Sequence, residues 1–304
     1  TTKEDGSFSI SKPSKSHMLV VSFIGFQNDT IHVSKKNQEL DIILRDGVEL
    51  NEVNVVSRRM GTMKLRSSVM NEEMISSAEL SRAACCNLGE SFVTNPSVDV
   101  SYSDAATGAK QIKLLGLSGT YVQMLTENIP NYRGAASPYG LGYVPGPWMQ
   151  SIQVSKGISS VKNGYEAITG QINVEFKKPQ LPEADWVSAN LFASSTSRYE
   201  ANADATLKLS KRWSTSLLAH YENETKAHDG NDDGFVDIPR VEQYNVWNRW
   251  AYMGDHYVFQ AGFKALSESR NSGQAHHAGM QSGDLYKVGI DTERYELFTK
   301  NAYI

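Results

Sequence analysis

Two stretches of the chain are the most informative about its fold: AKQIKLLGLSGTYVQMLTENIP at residues 109–130 and WMQSIQVSKGISSVKNGYEAITGQINVEFKKP at residues 148–179. Strand-like apolar runs occur in them at residues 111–115, 121–125, 151–154 and 171–176. The segment between the two stretches is rich in Gly, Pro and aromatic residues, which disfavour regular structure. The pattern predicts a β-rich unit that displays one long irregular loop.

The segment before these stretches predicts one or two short helices. Ser76 and Glu79 have the spacing of a capping box, in which each side chain bonds a backbone N–H at the start of a helix. Apolar residues then recur at fourfold spacing, namely Leu80, Ala84, Leu88 and Phe92. Residues 69–180 are therefore expected to form one α+β domain.

Residues 184–304 alternate apolar and polar side chains, as strands with one apolar face do. The apolar positions are Ala201, Ala203, Ala205, Leu207 and Leu209 in one run, Trp213, Thr215, Leu217, Ala219 and Tyr221 in the next, and Tyr257, Phe259, Ala261, Phe263 and Ala265 in a third. Each run has about ten residues or slightly more, which is the length that crosses a bilayer when the strand is tilted.

The connections between these strands also alternate. Short turns are expected near residues 210–211 and 254–255, and long polar loops over about 226–242 and 267–292. Short turns on one side and long loops on the other are typical of an outer-membrane barrel. The pattern predicts about six strands of such a barrel, although a soluble β-sandwich also alternates.

The first 46 residues alternate short β-branched and aromatic runs with polar turns, which predicts a small antiparallel β-sandwich. Residues 47–68 look like a linker that contains one extended run, ELNEVNVV at residues 49–56. Such a peptide either adds a strand to the sheet edge of a partner or is the last strand of the sandwich.

Composition excludes several classes of protein. The 304 residues carry a formal net charge of −4 without a basic block, so nucleic acid is not an expected partner. The longest apolar run, MLVVSF at residues 18–23, is too short for a membrane-spanning helix. GLGYVPG at residues 140–146 has the wrong spacing, and prolines where a helix should begin, for a dinucleotide fingerprint. With no HExxH, GxSxG or P-loop motif, neither an enzyme nor a nucleotide cofactor is expected.

Other features give less information. The adjacent Cys85 and Cys86 supply no disulfide framework and are expected to be small buried side chains, with a metal or redox role as the alternative. The first ten residues lack the pattern of a signal peptide, and the last twelve stop inside a strand pattern. Both ends therefore suggest a fragment of a longer chain.

The two opening stretches resemble the plug domain of TonB-dependent outer-membrane receptors. In that family, two strands and a loop precede a hydrophobic run ending in a KG, YG and GvInI pattern, and the similarity extends over residues 85–179. The matching positions are Ile152, Val154, Lys156, Gly157, Ser160, Val161, Gly164, Ala167, Ile168, Gly170, Ile172 and Val174. One departure is that the YG pair of the family appears as Asn163-Gly164-Tyr165.

The flanking segments agree with this resemblance. VSFIGFQ at residues 21–27 is similar to the carboxypeptidase-regulatory-like sandwich that many Bacteroidetes receptors carry before the plug. ELNEVNVV then stands where that group has its TonB box, formed here by Glu49, Leu50, Asn51, Glu52, Val53, Asn54, Val55 and Val56. The implied fold is mainly β: the truncated sandwich (1–46), the linker with the TonB box (47–68), the α+β plug domain (69–180) and the first strands of a transmembrane antiparallel β-barrel (184–304).

The resemblance implies active import across the outer membrane. The expected partners are TonB of the inner-membrane energy-transducing complex, outer-membrane lipid and a scarce ligand, with a surface lipoprotein as an optional addition. A metal chelate such as a siderophore, haem or cobalamin is the expected ligand, and a glycan or peptide is the alternative. A different class of function, a non-transporting calcium-binding β-rich module on the surface or in the periplasm, also stays open.

Candidate ligand contacts lie in two loops. The long plug loop offers Asn131, Tyr132, Arg133, Tyr139, Tyr143 and Trp148, whose aromatic faces and charge suit a flat or chelated ligand. A later loop contains His276, His277 and Met280, residue types that suit copper or haem iron. A plain solvated polar loop is the alternative for this second set.

DGNDDGFVD at residues 229–237 has the alternating oxygen ligands of a calcium loop. The expected ligands are the side chains of Asp229, Asn231, Asp233 and Asp237 and the carbonyl of Phe235. The twelfth position, where a sensor loop needs a bidentate Glu, is Arg240, and Pro239 precedes it. The motif therefore predicts a structural calcium ion in an external loop, with an ordinary acidic turn as the alternative.

Overall fold

The computed structural model describes residues 7–10, 18–22, 28–33, 39–44, 62–64, 71–83, 86–93, 95–118, 121–159, 164–179, 187–275 and 285–303. The chain divides into two compact units, residues 1–58 and 59–304. In the part described, no helix is both long enough and apolar enough to cross a membrane.

The first unit contains a single hairpin among its described residues. Strand β1 (Met18–Val21) pairs antiparallel with β2 (Asp29–His32), with Met18 opposite His32. Residues 7–10 and 39–44, which were expected to add strands, are not assigned to strands. The sandwich over residues 1–46 therefore stays a prediction beyond this hairpin.

The second unit begins with two small sheets and one helix. Their elements are β3 (Thr62–Lys64), β4 (Asn71–Ser76), α1 (Ser77–Arg82), β5 (Val98–Asp104), β6 (Ala109–Leu114), β7 (Leu117–Ser118), β8 (Val122–Thr126), β9 (Ile129–Pro130), β10 (Met149–Lys156) and β11 (Gly170–Phe176). Six of the strands form one sheet in the order β3-β4-β10-β11-β8-β9, and β5, β6 and β7 form the other. The strands expected at 111–115, 121–125, 151–154 and 171–176 are thus confirmed as β6, β8, β10 and β11.

The larger sheet carries the core of this domain. Ile152 and Val154 on β10, and Ile172 and Val174 on β11, are fully buried. β11 lies between β10, with which it is antiparallel, and β8, with which it is parallel. GQINVEF alternates, so Ile172, Val174 and Phe176 lie on the apolar face of β11, while the buried polar side chains on its other face have hydrogen-bond partners. One such partner pair is Gln171 and Gln123, whose side chains are 2.6 Å apart.

A helix forms where it was predicted, but its capping and its length differ from the prediction. α1 starts directly after Ser76, but the Ser76 hydroxyl makes no capping hydrogen bond, and Glu79 pairs with Arg82 instead at 2.7 Å. The helix has six residues, and Leu88 and Phe92 reach the core from a later segment with a 3-10 turn at Glu90–Phe92. The expected capping box therefore does not form, because the Arg82 guanidinium takes the carboxylate that would have closed it.

The rest of the second unit is one antiparallel sheet, which we call the wall. Its strands are β12 (Val187–Ala193), β13 (Arg198–Lys208), β14 (Trp213–Glu224), β15 (Arg240–Met253), β16 (Tyr257–Gly273) and β17 (Lys287–Tyr303). They pair in sequence order, which confirms the expected six strands. The wall resembles the start of a barrel.

One predicted loop is wrong in extent. Residues 267–273 and 287–292 were expected in a loop, but β16 and β17 pair in register from Tyr257 opposite Tyr303 to Gly273 opposite Lys287. The pairing continues through small and polar residues because backbone hydrogen bonds, and not apolar side chains, join two strands. The long connections are residues 225–239 and 274–286, and both lie at the end of the wall that we call the loop end. The other end carries the short turns at 209–212 and 254–256.

The outward face of the wall carries an apolar band between two rows of aromatic residues. Trp213 and Tyr221 on β14 are paired with Tyr252 and Tyr244 on β15. Eight residues separate the two rows, which is about 26 Å along a strand and about 20 Å across a bilayer at a tilt of about 40°. Beyond the Tyr221 row, toward the loop end, the outward residues turn polar. This is the face that an outer-membrane barrel presents to lipid.

Candidate functional site

The inward face of the wall is polar and buried, which reverses the arrangement of a soluble sheet. Its buried polar residues are Glu200, Asn202, Asp204, Ser216, His220, Glu222, Glu224, Gln243, Asn245, Arg249, Lys264, Glu268 and Arg270. These side chains pack against the domain formed by residues 71–179, which we call the plug. Buried charges are stable only when they are paired. The candidate functional residues are therefore the charged groups at the interface between plug and wall.

Arg249 makes the most buried of these contacts. Its side chain is 2% exposed, and its guanidinium lies 2.7 Å from the carboxylate of Glu127 on the plug, which is 3% exposed. A second nitrogen of Arg249 donates to the carbonyl of Lys177 at 2.9 Å. The guanidinium also lies 4.7 Å from the ring of Trp247 and 5.7 Å from that of Phe298. Planar contacts of this kind fix an arginine in one position.

Arg198 makes a different kind of contact because it binds several carboxylates. It lies 2.9 Å from Glu90 of the plug, and 2.7 and 2.9 Å from Glu200 and Glu222 of the wall. Burial raises the pKa of Glu90, but Arg198 outweighs that effect and holds the pKa below its ordinary value. Cys86 lies close by, where burial and the Glu200 carboxylate raise the pKa of its thiol. Cys86 is buried, as expected, and Cys85 lies outside the described residues.

Lys264 is a third buried cation at the interface. Its ammonium donates to the Tyr132 hydroxyl at 3.0 Å and to the Tyr143 carbonyl at 3.1 Å, and it lies 3.7 Å from Glu296. Burial raises the pKa of both tyrosine hydroxyls, which therefore stay protonated. Asn131 completes the group by donating to Glu296 at 2.9 Å. The wall thus binds the long plug loop through polar contacts.

Arg270 connects the plug to the wall nearer the loop end. It pairs with Glu268 at 3.0 Å, donates to the Thr107 carbonyl at 3.3 Å and lies 5.2 Å from the ring of Tyr139. A side chain at Gly108 would meet both Arg270 and Pro239 at about the closest distance that real contacts allow, so the external loop 225–239 lies directly on the β5–β6 turn.

Comparison with known proteins identifies this arrangement. A sequence profile described as the TonB-dependent receptor plug domain matches residues 64–171. These residues therefore form a plug domain of the kind found in TonB-dependent receptors. The vitamin B12 transporter BtuB of Vibrio vulnificus is 24% identical over 185 residues, which are 61% of this chain and 30% of that protein.

Solved receptor structures have the same fold as this chain. P. aeruginosa FpvA bound to heterologous pyoverdines matches 79% of this chain and 32% of its own, with a TM-score of 0.60 and 14% identity. The ferric-catecholate import receptor Fiu of E. coli K12 matches 67% of this chain and 28% of its own, with a TM-score of 0.53 and 18% identity. The chain spans about a third of the length of these relatives.

The predicted ligand residues of the receptor's plug loop lie in two environments. Tyr132, Tyr143 and Trp148 are 3%, 1% and 0% exposed and face the wall or the core. Arg133 is 43% exposed and pairs with Glu166 at 2.8 Å, which raises the pKa of the guanidinium. Asn131 and Tyr139 are engaged by the wall as described above. Ligand contact by these residues stays a prediction, and Arg133 is the member of the set most open to solvent.

The predicted calcium loop has a compact turn structure. Asp229 accepts from the N–H groups of Asp233 and Gly234 at 3.1 and 2.9 Å, and Asp237 accepts from Gly230 at 2.7 Å. Gly234 has a φ of 84°, which allows the sharp bend. In the described part of the chain, no three His, Cys, Asp or Glu side chains form a group that could hold a metal ion. Calcium therefore stays a proposal here, made with a set that also includes the Asn231 amide and the Phe235 carbonyl.

Two predicted sites lie outside the residues that the structure describes. They are the TonB box at residues 49–56 and the His276, His277 and Met280 set.

Sequence reasoning missed the arginines and the lysine that hold the plug. Arg198, Arg249, Lys264 and Arg270 were not singled out, although each occupies an inward position of an alternating strand. A full charge at such a position, on the face opposite the lipid band, was the available signal. Their partners on the plug were not predictable, because Glu90 and Glu127 come from segments more than a hundred residues away.

Proposed function

We propose that the protein containing this chain imports a scarce ligand across the outer membrane, with energy supplied by TonB. The observation that carries the proposal is a folded domain packed against the polar inner face of a lipid-facing wall. A channel that is filled by a folded domain needs an outside source of work to open it. Pairing of the Glu49–Val56 segment with TonB as an added strand would transmit that work.

A metal chelate is the ligand class that we favour. The relatives are described as a vitamin B12 transporter, a receptor bound to pyoverdines and a ferric-catecholate import receptor. The exposed Arg133 of the plug loop suits an anionic chelate. A glycan or peptide is the alternative within the same mechanism.

A non-transporting calcium-binding module receives less support from the same features. Such a module has no need for an apolar band about 20 Å wide between two aromatic rows. It also has no need for buried charges that join an inner domain to the surrounding sheet. We therefore treat calcium as an accessory of the external loop and import as the function.

The test is growth and uptake in a strain that lacks the whole gene. Cells would be supplied with single sources of iron chelate, haem, cobalamin or copper, and accumulation of the labelled ligand would be measured. We expect loss of uptake of one metal chelate, with the same loss in a strain that lacks TonB. Normal growth on every source would exclude the metal-chelate version and favour glycans or peptides. Uptake that persists without TonB would contradict the mechanism itself.

A further inference from the structure

We infer that Arg249 is a positioning residue that holds the Glu127 side of the plug against the wall during import. The Glu90–Arg198 contact, in contrast, breaks when the plug moves. This inference rests on the proposed import function. It follows from a comparison of the two ion pairs that join the plug to the wall through a buried arginine.

The first observation is that Arg249 holds two separate parts of the plug. Glu127 lies in the turn between β8 and β9, and Lys177 follows β11 on the path from the plug to the wall. The side chain of Lys177 also binds Asp204 on β13 at 2.8 Å. A plug that moved away from β13 and β15 would have to break all three contacts. The aromatic rings of Trp247 and Phe298 keep Arg249 from following it.

The second observation concerns the backbone of the turn itself. Glu127 and Asn128 form the two-residue turn of the β8–β9 hairpin and have φ angles of 51° and 64°, in the left-handed region that asparagine adopts readily and glutamate rarely. Such a conformation persists when the surroundings hold it in place. Here Lys300 donates to the Glu127 carbonyl at 2.6 Å, and the Glu127 amide donates to the Val174 carbonyl at 2.9 Å. The wall thus fixes the turn through both its backbone and its side chain.

The third observation is the difference in charge balance. If the plug left Arg198, the arginine would keep Glu200 and Glu222 on its own sheet, and Glu90 would be free to enter water. If the plug left Arg249, the arginine would have no carboxylate within ion-pair distance among the described residues, because Glu127 is its only one. Leaving a buried charge without its partner is far more costly than exchanging one of several partners. The Glu90 side of the interface therefore opens more easily than the Glu127 side.

The experiment measures leakage of the full-length receptor in cells, with no need to know the ligand. The variants are Glu127→Gln, Arg249→Gln and the double variant, with Glu90→Gln as the matched control. Entry of a hydrophilic dye too large for general porins would be followed in strains with and without TonB. Insertion of the barrel would be checked by the heat-dependent mobility of the receptor on gels.

We expect Glu127→Gln to raise dye entry by at least about threefold when TonB is present, since one partner of a buried pair is lost. In the strain without TonB the rise should disappear, because no pulling force then acts on the plug. Arg249→Gln should also raise dye entry, and the double variant should raise it no further than the larger of the two single variants, as expected for residues that act as one pair. Glu90→Gln should stay close to the wild type.

Three results would overturn the inference. They are no change in Glu127→Gln, an equal rise in Glu90→Gln, and a leak that does not depend on TonB. If Arg249→Gln fails to insert, Glu127→Gln still decides, because it leaves the wall unchanged. A wild-type receptor that imports none of the ligands tested would count against the proposed function. It would not count against the role of Arg249 in holding the plug, because dye entry is measured without ligand.

Discussion

At the scale of single residues, Gly170 gives a physical reason for one glycine of the plug motif. It begins β11 opposite Lys156 at the end of β10. A side chain added there would lie 2.1 Å from the carbonyl oxygen of Ser155 and 2.5 Å from Leu114. Neither the backbone of a central strand nor a fully buried leucine can give way by such an amount. The motif therefore preserves the close approach of two strands.

We predict that Gly170→Ala lowers the free energy of unfolding of the plug by about 3 kcal/mol, as expected of overpacking against backbone. The matched control is Gly116→Ala, where φ is also positive but nothing lies within 4 Å. It should cost only about 1 kcal/mol for the left-handed backbone. Limited proteolysis of the plug within the folded receptor would compare them. Equal sensitivity of the two variants would contradict the packing explanation.

Glu73 leads to a prediction about pH. Burial raises the pKa of this carboxyl on β4, but Lys156 and Ser97 outweigh burial and lower the pKa below 4.5. A carboxyl with a lowered pKa stabilises the fold above its unfolded pKa, and that contribution is lost as pH falls through the folded value. We expect the unfolding temperature of the wild type to fall more steeply than that of Glu73→Gln below about pH 4.5. Parallel curves for the two proteins would show that the Lys156 contact adds nothing.

At the scale of elements, the loop of residues 225–239 is joined to both the plug and the next loop. Pro239 lies against Gly108 of the β5–β6 turn. Phe235 forms an isolated bridge with Gln274, and Ala275 donates to the Gly234 carbonyl at 2.8 Å. Anything that stiffens this loop would therefore also limit the motion of its neighbours. A calcium ion in this loop stays a proposal, and its binding would be felt by both neighbours.

We predict that calcium at about millimolar concentration, where weak external sites fill, protects this loop from proteases. Asp233→Ala should remove the protection, because it deletes one ligand of the proposed set. Asp232→Asn is the control, since it removes the same charge at the adjacent residue, which is outside the set. Cleavage that is the same with and without calcium in the wild type would show an ordinary acidic turn.

At the scale of the whole molecule, the second unit has two environments on either side of one sheet. Leu217 on β14 is 46% exposed and lies midway between Trp213 and Tyr221 on the outward face. Leu218, the next residue, is 1% exposed and belongs to the core shared with the plug. Because side chains alternate along a strand, one residue faces lipid and its neighbour faces protein.

We predict that Leu217→Arg destabilises the folded receptor by about 2–4 kcal/mol, the cost of an arginine near the middle of a bilayer. Ser269→Arg is the control, because Ser269 faces outward on β16 beyond the aromatic row, opposite Glu242 and Asp291. It should cost about 0–1 kcal/mol. Unfolding by denaturant in lipid vesicles would measure both. Equal losses of stability in the two variants would mean that the apolar band around Leu217 does not face lipid.

Much of the fold was predictable because it depends on local patterns. Strand positions, the six wall strands and the long plug loop follow from periodicity, glycine and proline. The error over residues 267–292 arose because polar side chains were taken as a sign of a loop, whereas pairing with the neighbouring strand satisfied the backbone. The capping box failed for a similar reason, since Arg82 competed for Glu79. In both places a partner, and not the local sequence, decided the outcome.

The sequence by itself determined the class of this protein, because the plug motif and the run of alternating strands are both local patterns of neighbouring residues. Only the tertiary structure decided how the plug is held. Glu90 and Arg198, or Glu127 and Arg249, are each more than a hundred positions apart, and nothing in their local sequence marks them as partners. The physical reason is that a charge on the inward face of the wall is costly until the fold brings an opposite charge to it. The identity of that partner is a property of the folded interface.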